Sequence, residues 1–564
     1  MDKQNIVILG GCSCGSKAAA RLKRIMPDAH VTLVERGESI SYDRWGFPQY
    51  IGSTIKDVND LMRTTWDAIR TPELFKSIKG VDTLIGCEAT EIHRTEKEVI
   101  IRDVKTKNMN ILPYDKLVFA TGAQYRKPSI NHLNADGIFE IKTPQDSVRL
   151  QEYLKNGVES AVILGSGFWG LQLAEAIANW GVKITIIESK DHIFPMHFDS
   201  DIAAVVQDYL EKEDINIIVS TDIIDIKTND NNQISQIITN NGILDCDLLL
   251  YDYGLIPEVQ LAEEAGLTVN QGIVVNEYLQ TSDPDIYAGG DCVRVLNRVS
   301  GELVMAPMGD TSNKHGRIIA TNIAQHDSQK YTGIIGSALC QIFDWKIGKV
   351  GITSEEAIKL GFDIVSCIVP GPDISHFIPG KKLVMMKTIA DKTSKRILGV
   401  QIVGPGHVDK RVDAMAAAMS MNPKMTALEM ANLDLAYSVS LSPAVDNIHA
   451  NANVIQNEID GYAHSYDFFE TMKKLKDDNV IFVDLRIDEE VEIMPFETKN
   501  YYHIPLEELS ARVNELPRNR EIVVFCVLCT RGVEGQTILE RAGFKNVHFI
   551  KGGILFWPFE KYLS

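Results

Sequence analysis

Residues 160–190 read SAVILGSGFWGLQLAEAIANWGVKITIIESK. An apolar run stops at Gly165, a turn carries Gly165, Gly167 and Gly170 in the pattern G-x-G-x-x-G, apolar residues then recur at helical spacing, and a second apolar run ends at Glu188. Strand, glycine turn, helix and strand in that order make a βαβ unit of a parallel sheet. The glycines let main chain approach a pyrophosphate, which then lies on the partial positive charge of a helix start. Glu188 stands where an acid accepts hydrogen bonds from a ribose 2′-OH, which favours NADH. Lys190, two residues on, leaves NADPH possible.

The same plan opens the chain. NIVILGG leads into CSCGSKAAARLKRIMPDA and then HVTLVERG. Gly10, Cys12 and Gly15 hold the three glycine positions, with Gly11, Ser13 and Cys14 between them, and Glu35 supplies the acid with Arg36 beside it. Taken alone this turn has two readings, a second nucleotide cradle or a tight strand-to-helix turn with no ligand.

Two later segments separate those readings. YDKLVFATGA (114–123), with Thr121 and Gly122, and TSDPDIYAGGDCV (281–293), with Gly290 and Asp291, resemble the further signatures of flavoproteins with two dinucleotide folds. The chain therefore resembles the pyridine nucleotide–disulfide oxidoreductase family. Within it the likeness is to the CoA-disulfide reductases, NADH oxidases and persulfide reductases that carry a fused rhodanese domain. NKHGRIIATNIA (313–324), ILGVQIVG (397–404) and VDKRVDAMA (408–416) extend it along most of the chain. The resemblance implies FAD and NADH as cofactors, NADPH being possible, with Asp291 against the ribityl chain. It implies an α/β protein with two Rossmann-like dinucleotide-binding domains, an α+β dimerisation domain and a C-terminal rhodanese-like α/β domain. The expected boundaries are 1–148 with 250–330 for FAD, 149–249 for NAD(H), 331–455 for dimerisation and 466–564 for the rhodanese-like part.

One segment departs from that family. SISYDRWGFPQYIG (39–52) resembles S-F-x-N-C-G-L-P-Y-Y, in which the cysteine cycles between thiolate and disulfide beside the flavin. Here Trp45 stands at the cysteine and Arg44 at the asparagine. An indole does not attack a disulfide. Trp45 is either a packing residue over the ring system or a platform for substrate. Of the two tyrosines expected from a partner subunit, Tyr437 matches one, while Phe377 and Ile378 lie where the other belongs. Cys12 and Cys14 are either small fillers of a crowded turn or a relocated redox thiol. Lys17, Arg21 and Arg24, at helical spacing, form either a solvated basic face or a hold for the phosphates of a CoA-like substrate.

The end of the chain resembles rhodanese. FCVLCTRG (525–532) follows an apolar run and precedes a helical one, and Cys526 through Arg531 match the six-residue cradle whose first member carries sulfur. Such a loop stabilises a thiolate or persulfide through N–H groups and a helix start, and Arg531 adds charge. VDLR (483–486), HIPL (503–506) and GGILFW (552–557) support the match. Cys529 replaces the usual glycine. The resulting Cys526-x-x-Cys529 spacing allows a reversible disulfide, or resolution of a persulfide on Cys526.

The totals set outer bounds. A chain of 564 residues exceeds one compact core. A net charge of −19 argues against nucleic acid and anionic membranes as partners. The nine cysteines are too few and too scattered for a secreted disulfide framework, and the first strand begins without a cationic leader, so a cytoplasmic protein is expected. No apolar run is long enough to span a bilayer, and no residues are assigned to a metal. The expected function is an FAD-dependent NAD(P)H oxidoreductase acting on a persulfide, polysulfide or thiol-disulfide substrate as a homodimer, with Cys526 as the sulfur carrier. The alternatives are a thiol-independent NADH:acceptor reductase and a non-catalytic redox or NADH sensor.

Overall fold

The computed structural model describes residues 3–496 and 498–559. Two compact units divide the chain, 1–189 with 220–334 and 190–219 with 335–564.

The first unit is built on two parallel sheets. In one, Asn5–Leu9 lies between His30–Glu35 and Lys116–Phe119, which are flanked by Asp82–Ile85 and Ile286–Ala288. These strands read as apolar runs rather than alternations because both faces are covered. Ile6, Ile8, Leu33 and Val118 pack on one face with Ala18, Ala19 and Leu22 of helix Ser13–Ile25 and Ile319 of helix Gly309–Gln325. Val7, Leu9, Val34 and Phe119 fill the other face. In the second sheet Ser160–Leu164 lies between Lys183–Ile187 and Leu248–Tyr251. Ile138–Phe139 extends it, so the chain enters this sheet about ten residues before the expected boundary. Both glycine turns sit where a central strand hands over to its helix, at the carboxyl edge where open α/β sheets take ligands.

The second unit holds an antiparallel sheet in the order Ala338–Ile342, Trp345–Gly351, Ile397–Gly404, Leu383–Asp391, Ile364–Pro372. Helices Val408–Met421 and Asn447–Asp460 belong with it. Lys387, on a central strand, reaches Asp199 Oδ2 at 2.8 Å and Asp201 Oδ2 at 2.6 Å, with all three side chains almost wholly buried. The same unit ends in a parallel sheet ordered Ser465–Tyr466, Val547–Ile550, Glu521–Phe525, Val480–Asp484, Tyr501–His503. Cys526 follows its central strand.

Among the described residues no helix is long and apolar enough to cross a membrane.

Candidate functional site

The N-terminal turn is shaped by two close approaches. Gly10 has φ +107°, and a Cβ there would stand 2.1 Å from the Ala120 carbonyl oxygen. A Cβ on Gly15 would stand 1.9 Å from the carbonyl oxygen of Gly10. Only glycine fits either place. Glu35 closes the turn: its Oε2 accepts from Gly11 N–H at 2.7 Å and its Oε1 from Gly37 N–H at 2.6 Å. Cys12 precedes helix Ser13–Ile25. Thr121 donates its hydroxyl to the Glu258 carbonyl, Gly122 at φ +74° faces open space, and Gly290 N–H donates to His315 Nδ1. Asp291 accepts from the Ser312 hydroxyl at 3.3 Å, and burial raises its carboxyl above the ordinary range. Arg36 lies further out, mostly exposed, against Glu88. A glycine-lined turn, a ribose acid and a carboxylate at Asp291 fit the donor set that FAD requires.

Segment 39–52 lies against this turn. Cys12 Sγ donates to the Tyr42 carbonyl at 3.5 Å. Burial pushes the Cys12 thiol up to about 11 and the Cys14 thiol well above its usual value, so both keep their protons near neutral pH and are poor nucleophiles. Trp45 occupies a 3₁₀ turn, Arg44–Gly46, whose Asp43 cap accepts the Trp45 N–H at 3.1 Å. Its half-buried indole meets the Trp169 ring edge-on, with centroids 5.6 Å apart. Phe47 meets the same ring at 6.4 Å. Arg44 lies 5.0 Å from the Tyr125 ring centroid and 5.4 Å from that of Trp169, and donates to the Tyr125 hydroxyl. Burial opposes the Arg44 charge, but Tyr125, Asp291 and Tyr42 more than offset it and its pKa is raised.

Trp169 belongs to the second glycine turn, so the two halves of the first unit meet through these rings. There Gly165 has φ +100°, Gly167 caps helix Phe168–Ala178, and Gly170 N–H donates to Asp252. Buried Glu188 accepts from Ser166 N–H at 3.1 Å and from its hydroxyl at 2.6 Å, repeating the Glu35–Gly11 arrangement.

Lys17 and Arg24 converge with two residues the sequence did not single out, Arg70 and Lys79. Burial, then Arg70, Arg24 and Lys17, bring the Lys79 amine down to about 8. Arg70 also donates to the Ser41 carbonyl at 2.9 Å, beside the Trp45 segment. The convergence is tertiary and leaves no local signal.

In the second unit, Cys526 is fully buried behind a loop that ends in helix Thr530–Arg541. Gly553 lies under the loop, where a Cβ would stand 2.6 Å from the Cys526 carbonyl oxygen, which explains the glycine of GGILFW. Arg531 forms a fork with Glu490, at 2.7 and 2.8 Å. Burial works against its charge, while Glu490 and Cys526 outweigh burial and raise its pKa. Cys529 has φ +66°, the left-handed region that favours glycine. Its Sγ lies 3.8 Å from the Ile368 carbonyl oxygen on the antiparallel sheet. Tyr437 is 56% exposed in a loop of the same unit.

Comparison with known proteins agrees with this arrangement. Residues 4–309 match the family described as pyridine nucleotide-disulphide oxidoreductase, 337–447 its dimerisation domain, and 469–558 the rhodanese-like domain. An NAD(P)H sulfur oxidoreductase (CoA-dependent) of Pyrococcus abyssi is 31% identical over 80% of this chain and 98% of its own length. The solved structure of an NAD-dependent persulfide reductase from A. fulgidus is 36% identical with a TM-score of 0.93, covering 98% of this chain and 100% of that one. Reduced Bacillus anthracis CoADR-RHD is 28% identical with a TM-score of 0.91, covering 99% and 98%. With residues 4–309 matching its model and a relative 31% identical along most of both chains, the chain belongs to the pyridine nucleotide-disulphide oxidoreductase family and carries a rhodanese-like domain at 469–558.

Proposed function

We propose that this protein is an FAD-dependent NAD(P)H reductase of persulfide or polysulfide sulfur, with Cys526 as the sulfur carrier. The observation that carries the reading is the Cys526–Arg531–Glu490 cradle on the same chain as two dinucleotide turns. FAD, held by Gly10, Gly11, Cys12, Ser13, Cys14, Gly15, Glu35, Arg36, Arg44, Thr121, Gly122, Gly290 and Asp291, supplies two-electron redox chemistry when bound. Gly165, Gly167, Gly170 and Glu188 take the pyridine nucleotide. A Cys526 thiolate attacks the sulfane sulfur of a donor R–S–S⁻, keeps that sulfur as Cys526–S–S⁻ and releases RS⁻. The helix start and Arg531 stabilise the new anion, and Glu490 aims the guanidinium. The cluster of Lys17, Arg24, Arg70 and Lys79 suits the phosphates of a CoA-type donor.

Nine cysteines with no disulfide among the described residues suit a reducing compartment such as the cytoplasm. Exposed Tyr437, Phe377, Leu441 and Val445 form an apolar set that a second copy of the chain covers in a homodimer.

A second reading, reduction of an acceptor without any thiol relay, is favoured by Trp45 in the place of a redox cysteine. Steady-state NADH oxidation with polysulfide, CoA persulfide, CoA disulfide, quinone and oxygen separates the two. Fastest turnover on the persulfide or polysulfide supports the first. Turnover on quinone or oxygen alone supports the second.

A further inference from the structure

The two glycine turns share their main contacts, though Cys12 stands where the second has Gly167, and they differ in one anion. Each has a glutamate that accepts the N–H of the residue between the first two positions of its glycine pattern, Glu35 from Gly11 and Glu188 from Ser166. Each has main chain pressed on the first glycine, the Ala120 carbonyl on Gly10 and the Asp252 carbonyl on Gly165. Alanine brings no charge to the first turn. Asp252 brings a carboxylate into the second, where its Oδ2 accepts from Gly170 N–H at 3.0 Å and lies 3.0 Å from a Cβ built on Gly167. The carboxylate thus sits at the start of helix Phe168–Ala178, the place a dinucleotide pyrophosphate uses.

We propose that Asp252 is a positioning residue that links pyridine-nucleotide docking to proton uptake: its carboxylate caps the helix in the free protein, and the nucleotide docks on the protonated acid. This rests on the reading of the second turn as the NAD(P)H site. Two anions at one helix start repel, and a neutral acid removes the repulsion while leaving the turn's N–H groups to the pyrophosphate. One solvent proton goes to Asp252 for each nucleotide bound.

The groups facing Asp252 are Gly170 N–H from the helix, Arg44 from the 3₁₀ turn, Glu188 from beyond strand Lys183–Ile187, and Tyr125 from strand Ala123–Tyr125. Burial raises its carboxyl to about 6, Gly170 N–H and Arg44 oppose the rise, and Glu188 adds to it. The free protein is therefore mostly ionised at Asp252 above that pH. Affinity for the nucleotide falls as pH rises through and beyond 6.

The test is calorimetric titration of the FAD-loaded enzyme with NAD⁺, which binds without turnover, in phosphate and in Tris, from about pH 5.5 to about pH 8. Linkage gives a dissociation constant that weakens by up to about tenfold per pH unit above the free pKa, and an uptake approaching about one proton at neutral pH. In Asp252→Asn and Asp252→Ser the slope flattens and the proton uptake disappears. Binding that is flat with pH in the unaltered enzyme, or uptake that persists in both variants, overturns the role of Asp252. Absence of NAD⁺ binding at every pH overturns the nucleotide site itself, and this inference with it.

Discussion

The indole of Trp45 stands edge-on to that of Trp169 at 85°. One ring comes from segment 39–52, the other from the second glycine turn. A contact of this kind is worth about 1 kcal/mol beyond the area it buries. Trp45 therefore packs segment 39–52 against the helix of the second glycine turn.

Anaerobic titration of the yellow holoenzyme with NADH is expected to bleach the flavin without the long-wavelength absorbance that a thiolate stacked on flavin produces. CoA disulfide is expected to reoxidise it slowly. A strong band that vanishes in Cys12→Ser or Cys14→Ser would show that the redox thiol has moved into the N-terminal turn, despite the raised pKa of both groups.

Much of this was legible because glycine spacing and apolar runs are local signals. The G-x-G-x-x-G at Gly165 and the C-x-x-C-x-R at Cys526 each announce a backbone geometry within a few residues, and the acids Glu35 and Glu188 follow their turns at the end of the next strand. Asp252 was not legible, since one aspartate after LLLY carries no pattern. Its meaning comes from the Gly170 N–H, which lies 82 positions away. Glu490 and Arg531 are likewise brought together only by the sheet, 41 positions apart. That Cys529 stands in for a glycine could be seen in the sequence, but not that the loop holds this residue at positive φ, where the glycine would be unstrained.

Sulfur transfer from thiosulfate or a persulfide is expected to be lost in Cys526→Ser and to fall only partly in Cys529→Ser, because the first thiol heads the anion cradle and the second points to the Ile368 carbonyl. Glu490→Gln is expected to slow transfer by roughly tenfold, since Arg531 loses a charged fork worth about 1.5–3 kcal/mol of fixed geometry. Full transfer in Cys526→Ser, measured as thiocyanate formed from thiosulfate and cyanide, rules out the assigned carrier.

NADH is expected to be preferred to NADPH. Glu188 is held by the Ser166 N–H and hydroxyl at the end of its strand, and a 2′-phosphate there meets a carboxylate. The ratio of kcat/KM for the two nucleotides is expected to favour NADH by at least about tenfold and to collapse in Glu188→Ala. An equal ratio in the unaltered enzyme would show that this acid does not read the ribose.

The buried group of Lys387, Asp199 and Asp201 gives the sharpest stability test. Lys387→Met keeps the apolar stem and removes the cation, leaving two carboxylates that are about 95% buried without it. Breaking a buried pair in this way costs about 3–5 kcal/mol. The pH dependence fixes the cause. In the unaltered protein burial pushes the Asp199 carboxyl up, while Lys387 and the Ser354 hydroxyl and N–H outweigh it, so its pKa is lowered. A lowered folded pKa contributes stability that is present above the unfolded value and is lost as pH falls through the folded one. Without Lys387, burial acts on Asp199 against only Ser354 and the Lys349 charge, and the acid is easier to accommodate once protonated. The loss in Tm caused by Lys387→Met is therefore expected to be largest near neutral pH and to shrink as the pH is lowered into the range where the buried carboxyls take up protons. A loss below about 1 kcal/mol, or one that does not change with pH, would mean that the lysine stem rather than its charge holds this part of the unit together.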